Sequence, residues 1–301
     1  MDKLYDVSVI VLSYNPDFDK MAETLNSILM QRRVKFQIIV ADDGSKESPK
    51  DWLVNYFQGA GFEDYKIVIN QENGGTVLNY LSGLRVASGV YAKAISPGDM
   101  LVSPTTLAKW HAFLERSDKD WAFSEAVYYT MNNGERETVT TKAIPNITRS
   151  YFEHKDKRCR WNYIADGDIA LGSTMMGLTS LQLKYAEMIA GRVKYAEDNI
   201  WRLMMYFGDV GAYYPRPTVL YEYGTGISTV KSNAWREKII ADWDAASEIM
   251  YESEESADKL QKKMISALRR KKKNVFLAIF TRGQIEVWLR AFIFYRKTPT
   301  L

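Results

Sequence analysis

The 301 residues are 46% hydrophobic and 26% charged, with one cysteine and two histidines. This is the composition of a folded globular chain, and it excludes global disorder, collagen-like repeats and a polytopic membrane protein. Cys159 alone can form neither an intramolecular disulfide nor a cysteine zinc site, and His111 and His154 leave little scope for histidine-rich metal chemistry. The net charge of +3 is unevenly spread: residues 262–301 hold eleven Lys/Arg against one acid, Glu286, so this tail is +10 and the rest −7. No apolar run reaches the roughly 20 residues of a spanning helix. The start of the chain has no basic region followed by a long apolar stretch, so no signal peptide is expected and the expected location is cytoplasmic.

In chain order, residues 7–13 (VSVIVLS) form a β-branched apolar run, the mark of a strand buried on both faces. Pro16 and Asp17 interrupt it. Met21, Leu25, Ile28 and Leu29 then recur at helical spacing. Residues 36–41 (FQIIVA) predict a second strand. Ser48 and Pro49 predict an N-cap and first helical position for a helix through Trp52, Leu53 and Phe57. Residues 65–70 predict a third strand. A helical stripe follows at Val77, Leu78, Leu81 and Leu84, closed by Gly89. Residues 91–95 predict a fourth strand, and Ser103–Pro104 the start of a helix through Leu107, Trp110 and Leu114. Residues 121–160 read as irregular, with a hairpin turn at Asn132–Asn133–Gly134. Residues 227–282 contain no Gly or Pro before Arg282 and predict long helices.

Strands alternating with helices imply an α/β chain with a mostly parallel sheet covered on both faces, and such sheets bind ligands at the carboxyl ends of their strands. Three loops therefore matter most: Tyr14–Asn15–Pro16, Asp42–Asp43–Gly44–Ser45 and Ser96–Pro97–Gly98–Asp99. Each reads equally well as a plain connector when taken alone.

The strings VSVIVLSYNP, IIVADDGS, NGGTVLNYLSGLRVASGVYAKAISPGD, GSTMMGLTSLQLKYAEM and YAEDNIWRLMMY resemble, in that order, glycosyltransferase family 2, inverting sugar transferases of the GT-A fold. The resemblance covers about residues 7–205. It implies a GT-A domain over residues 1–226, with a nucleotide-sugar half (1–100) and an acceptor half (101–226), followed by a helical, basic extension (227–301). It further implies that Asp42 holds the donor base, Asp43 braces its loop, Tyr14 stacks on the base, Pro16 fixes the first loop, and Asn73 and Gly74 carry backbone close to the nucleotide. Asp198 is the implied general base, since a carboxylate in reach of an acceptor hydroxyl can take its proton as attack proceeds; Glu197 would position it. The bland reading of this pair, acids favouring a helix N-terminus, is compatible with that role.

The fourth loop departs from the family pattern. Where the family carries an Asp-x-Asp that holds a divalent cation, this chain has Ser96–Pro97–Gly98 followed by Asp99. The resemblance leaves Asp99 as the one carboxylate for a Mn or Mg ion against the donor diphosphate. Without a metal, the leaving-group charge needs cations such as Lys93, Arg192 or Lys231.

Three further segments carry weaker signals. Residues 166–173 can contact an acceptor sugar, residues 221–229 can act as a mobile loop, and Trp161, Tyr163 and Trp201 form either a sugar-stacking platform or core. In the tail, Arg269–Lys273 precede aromatics including Trp288 and Phe292, a pattern suited to an anionic membrane interface; no nucleic-acid motif accompanies it. The reading is an inverting glycosyltransferase (hexosyltransferase type) using a nucleoside-diphosphate sugar, UDP-linked, and a capsule- or cell-wall-type polysaccharide acceptor that can be lipid-linked. It places the protein at the inner face of the membrane and is compatible with a homo-oligomer. The alternatives are a non-catalytic glycan-binding or scaffold subunit on the same fold and a sugar-nucleotide nucleotidyltransferase. Against the latter, no glycine-rich basic loop follows the first strand.

Overall fold

The computed structural model describes residues 5–142, 145, 147–224 and 232–273. Residues 225–231 of the glycine-rich segment, including Lys231, and the tail from 274 onward lie outside the described residues, and with them the aromatic part of the expected membrane contact.

The first half alternates as β1 (Tyr5–Ser13), α1 (Phe18–Leu29), β2 (Phe36–Asp42), α2 (Lys50–Gly59), β3 (Tyr65–Ile69), α3 (Thr76–Val86) and β4 (Gly89–Ile95). The strands pair in parallel in the order β3–β2–β1–β4. Side chains alternate across a strand, and here both sides are apolar. Val7, Val9, Val11, Ile38 and Val40 pack on Met21, Leu25, Leu53 and Phe57 of α1 and α2. Ile10, Leu12, Ile39 and Ala41 pack on Val77, Leu81 and Leu84 of α3. Asp17 caps α1 by accepting hydrogen bonds from the N–H groups of Asp19 (3.0 Å) and Lys20 (3.3 Å).

The sheet continues through β5 (Met100–Leu101), β6 (Trp121–Asn132), β7 (Glu135–Lys142), β8 (Met175–Leu178) and β9 (Ala212–Glu222), with α4 (Thr106–Arg116) between β5 and β6. The order runs on from β4 as β8–β6–β9–β5, with β7 on β6. The β6–β9 pair is parallel, while β8 runs antiparallel to β4 and β6, and β5 and β7 also join antiparallel. The parallel pairing thus lies in the first four strands and in β6–β9. Helices α5 (Arg149–Phe152), α6 (Asp156–Trp161), α7 (Thr179–Ile189), α8 (Asn199–Phe207), α9 (Asn233–Glu252) and α10 (Lys259–Lys273) complete the described chain. Met250, Met264 and Ile265 from the last two share one apolar cluster with Trp121, Trp201 and Met204, so the extension builds the same core as the sheet.

Several sequence expectations are corrected. Residues 121–142 are not irregular but a long hairpin, turned by Asn133 and Gly134 at φ 51° and 83°, the left-handed pair that suits a tight hairpin. Gly89 begins β4 rather than capping a helix. α4 starts at Thr106, because Thr106 Oγ1 accepts from the Ser103 N–H at 3.0 Å and so holds Ser103 in a turn before the helix. α2 starts at Lys50, one residue later than expected, and Pro49 caps it without a side-chain bond. Trp201 and Tyr163 are core residues, with Trp201 5.0 Å from Trp121, and offer no stacking platform. In α10, Met264 and Ile265 are fully buried, so the apolar side of this basic helix faces the body. Among the described residues no helix is long and apolar enough to cross a membrane.

Candidate active site

A cavity of about 890 Å³ opens at the carboxyl ends of β1 and β4. Leu12, Ser13 and Tyr14 line it from β1 and its loop, Asp43 from the loop after β2, and Ser96, Pro97 and Asp99 from the loop after β4. Glu197 and Asp198 line it from the loop before α8, and Arg236, Ile239 and Trp243 from the first turns of α9. Tyr14 is half exposed there, with its ring free to meet a ligand.

The two aspartates after β2 divide their work differently from expectation. Asp42 ends its strand fully buried and does not line the cavity. Its Oδ1 accepts from Ser45 Oγ (2.6 Å) and Ser13 Oγ (3.2 Å), and its Oδ2 from the Ser45 N–H (2.9 Å). It is the brace of an Asx-type turn. Asp43 faces the cavity and accepts from the N–H groups of Gly74 (3.0 Å) and Gly75 (2.9 Å). Burial raises its pKa, against the lowering effect of those two amides. Pro16, Asn73 and Gly74 do not line the cavity; Gly74 acts through its bond to Asp43.

Other residues that hold the loops escaped the sequence reading. The Asn15 N–H donates to Ser45 Oγ at 2.6 Å and Asn15 Oδ1 accepts from the Lys46 N–H at 3.0 Å, tying the first two loops together. Asn79 donates to the carbonyls of Ala41 (2.9 Å) and Ser13 (3.3 Å) and so joins the ends of β1 and β2. The buried Ser173 Oγ, on a cavity-lining residue, has no hydrogen-bond partner among the described residues.

Glu197 and Asp198 are both pushed above the ordinary carboxylate range by burial, Glu197 further because it also feels the charge of Asp198. The buried Arg202 one turn into α8 offsets part of the effect on Asp198. Asp198 therefore remains the more acidic of the two.

The loop after β4 is where a divalent cation is expected. Gly98 has φ +100°, and a Cβ there would run into Glu222 Oε2. The carboxylate of Glu222, from the end of β9, thus fills the space a side chain at 98 would take. Both of its oxygens accept from Lys20 Nζ, at 2.6 and 2.8 Å. Asp99 Oδ1 accepts from the Glu222 N–H at 3.1 Å, and burial raises its pKa to about 7. One carboxylate is paired with a lysine, and the other is buried and bonded to backbone. Among the described residues no group of three or more His, Cys, Asp or Glu is placed to hold a metal. Asp99, which lines the cavity, also anchors the end of β9 through its Oδ1.

Two of the cations expected for a metal-free site, Lys93 and Arg192, do not line the cavity. Lys93 is fully buried, bonded to the Ala94 carbonyl and 5.9 Å from the Trp110 ring, and burial lowers its pKa to about 7. Arg192 pairs with Glu252 and does not line the cavity. Among the described residues Arg236 is the cation that does.

A parallel βαβ core with a cavity at its strand ends has the architecture of the GT-A fold. The model of the glycosyl transferase family 2 matches residues 8–176, and the chain belongs to that family. It is a glycosyltransferase by membership. Solved structures of the same fold include S. aureus TarS 1–349 in complex with UDP-GlcNAc, with 18% identity, a TM-score of 0.58 and coverage of 95% of this chain and 79% of that one. Its complex with UDP matches at 17% identity and a TM-score of 0.57, covering 91% and 74%. The mannosyltransferase PcManGT from Pyrobaculum calidifontis, in complex with GDP-Man and Mn2+, matches at 14% identity and a TM-score of 0.52, covering 97% and 86%. A search of curated protein sequences found no match.

Proposed function

We propose that this chain transfers a hexosyl unit, with inversion, from a nucleoside-diphosphate sugar to an acceptor hydroxyl, with Asp198 as general base. The observation that carries the reading is that Asp198 lines the same cavity as Tyr14 and Asp43. The donor base stacks on Tyr14 and is held by Asp43, whose carboxylate is aimed there by the two glycine amides. The acceptor oxygen attacks the anomeric carbon as Asp198 takes its proton. The bond from that carbon to the diphosphate breaks, and its electron pair leaves with the nucleoside diphosphate. Glu197, more readily protonated, can donate a hydrogen bond to the acceptor or to Asp198.

The donor is UDP-linked in this reading, in keeping with the UDP and UDP-GlcNAc bound by TarS. The acceptor is a capsule- or cell-wall-type glycan, lipid-linked, with the basic tail holding the active site to the inner face of the membrane. Residues 1–226 act as the transferase unit and 227–301 as the extension. Calorimetry with UDP, dTDP and GDP, followed by detection of UDP release from UDP-GlcNAc, tests the donor. Proton NMR of the product tests inversion.

The lysine-paired Glu222 favours one second reading, a glycan-binding subunit that has lost catalysis. Asp198→Asn separates the two. Loss of a catalytic base lowers turnover by about 10²–10⁴-fold with nucleotide affinity retained, whereas a binding subunit is indifferent to the change.

A further inference from the structure

The loop before α8 presents Glu197 and Asp198, and its backbone is gripped from the extension. Asp242, in the third turn of α9, is buried. Its Oδ1 accepts from the Lys194 N–H at 3.0 Å, and its Oδ2 from the N–H groups of Tyr195 (2.6 Å) and Ala196 (2.9 Å). Three successive amides converging on one carboxylate form a concave anion site, and their bonds are of the stronger, charge-assisted kind. The next two residues are Glu197 and Asp198.

The same segment is held on its other side. The Lys194 carbonyl accepts from the Val77 N–H at 3.1 Å. The segment is thus clamped between α3, whose N-terminal glycines bond Asp43, and α9. The residue after Asp242 takes part as well: Arg202 donates to the Trp243 carbonyl and to Ser247 Oγ, both at 3.0 Å. One face of α9 therefore fixes both the backbone that carries the acid pair and the guanidinium nearest to Asp198 in charge.

We propose that Asp242 is a positioning residue for sugar transfer, holding residues 194–196 so that Asp198 meets the acceptor hydroxyl, and that the extension is thereby part of the catalytic centre. This rests on the reading of Asp198 as base. Asp242 itself lies outside the cavity lining.

Asp242→Asn in the full chain keeps the side-chain volume and removes the charge and one acceptor. The probes are UDP-GlcNAc turnover, UDP calorimetry and amide hydrogen exchange over residues 190–200. The expected result is a fall in kcat of about 10–100-fold, the scale of a misplacement of about 1 Å, with donor KM and UDP affinity unchanged and faster exchange at 194–196. The acid limb of kcat should also move to lower pH, because the charge of Asp242 raises the pKa of Asp198; the fall in kcat at unchanged donor KM is what a merely structural role would not give. Unchanged kcat or unchanged exchange overturns the proposal, as does loss of UDP affinity in step with kcat. Should the asparagine variant fail to fold, exchange in the wild type still decides: amides of 194–196 exchanging as freely as exposed loop amides overturn it. An active wild type with an unaffected variant refutes the positioning role alone. A wild type that binds no nucleotide and releases no UDP removes the functional reading, and the positioning role with it.

Discussion

Gly75 offers the most direct check on the clamp around the catalytic loop. Its backbone sits at φ +90° and ψ 165°, a region open in practice to glycine alone. A Cβ there would stand 2.5 Å from both Cγ and the carbonyl oxygen of Lys194. The Cγ can swing aside, but the carbonyl is fixed by Val77. Gly75→Ala therefore combines a backbone penalty of about 1–3 kcal/mol with an overpacking penalty of about 1–3 kcal/mol. The sum of about 2–6 kcal/mol is a large part of the roughly 5–15 kcal/mol that holds a domain folded. Gly61 supplies the control: it has φ +62° but open space where a Cβ would be, so Gly61→Ala carries only the left-handed penalty of about 1–2 kcal/mol. Urea unfolding of both variants, read as midpoints at constant slope, measures the difference. Equal losses in the two variants would refute the close approach of residues 75 and 194.

Two further outcomes follow from the site. Tyr14→Ala should weaken UDP binding by about 1–3 kcal/mol if the ring stacks on the base, with melting temperature little changed because the side chain is half exposed; calorimetry reads this, and unaltered affinity removes Tyr14 from the donor site. Asp198 must be ionised to take a proton, and burial raises its pKa above the ordinary 3.8. The acid limb of kcat should then lie at about pH 6, with activity lost as pH falls through it; a limb near the ordinary value would mean that the working carboxylate is a solvated one.

The parallel core was legible because buried strands write themselves as β-branched runs, as in VSVIVLS. The β6–β7 hairpin was legible only at its turn. β6 is buried at Trp121–Ser124 and then alternates, while β7 (ERETVTTK) is polar, so neither gives a clean single period. Within the site, Tyr14, Asp99 and Asp198 reach the cavity as the family resemblance implied. Asp42 and Asp43 exchanged their expected places. The signal lay in Ser45: an aspartate followed three residues on by a serine is a turn brace, which leaves the next carboxylate to face outward. Asp99 kept its place, and it also accepts from the Glu222 N–H, a contact from a distant part of the chain that no local pattern announces. Asp242 and Arg236 could not be found by pattern at all, since what gives them meaning is a helix packed back across the sheet.

The bond between Asp242 and Lys194 spans 48 residues. During synthesis the segment with Glu197 and Asp198 emerges well before the carboxylate that holds it. The α1 and α2 side of the parallel sheet, whose apolar cluster contains no residue of the extension, can fold first, as N-terminal units generally do. The acid pair then waits on a later piece of chain to close a long loop, an entropic step made only once α9 is out. On the proposed reading of Asp198 as base, the geometry for attack is then the last part of the site to form.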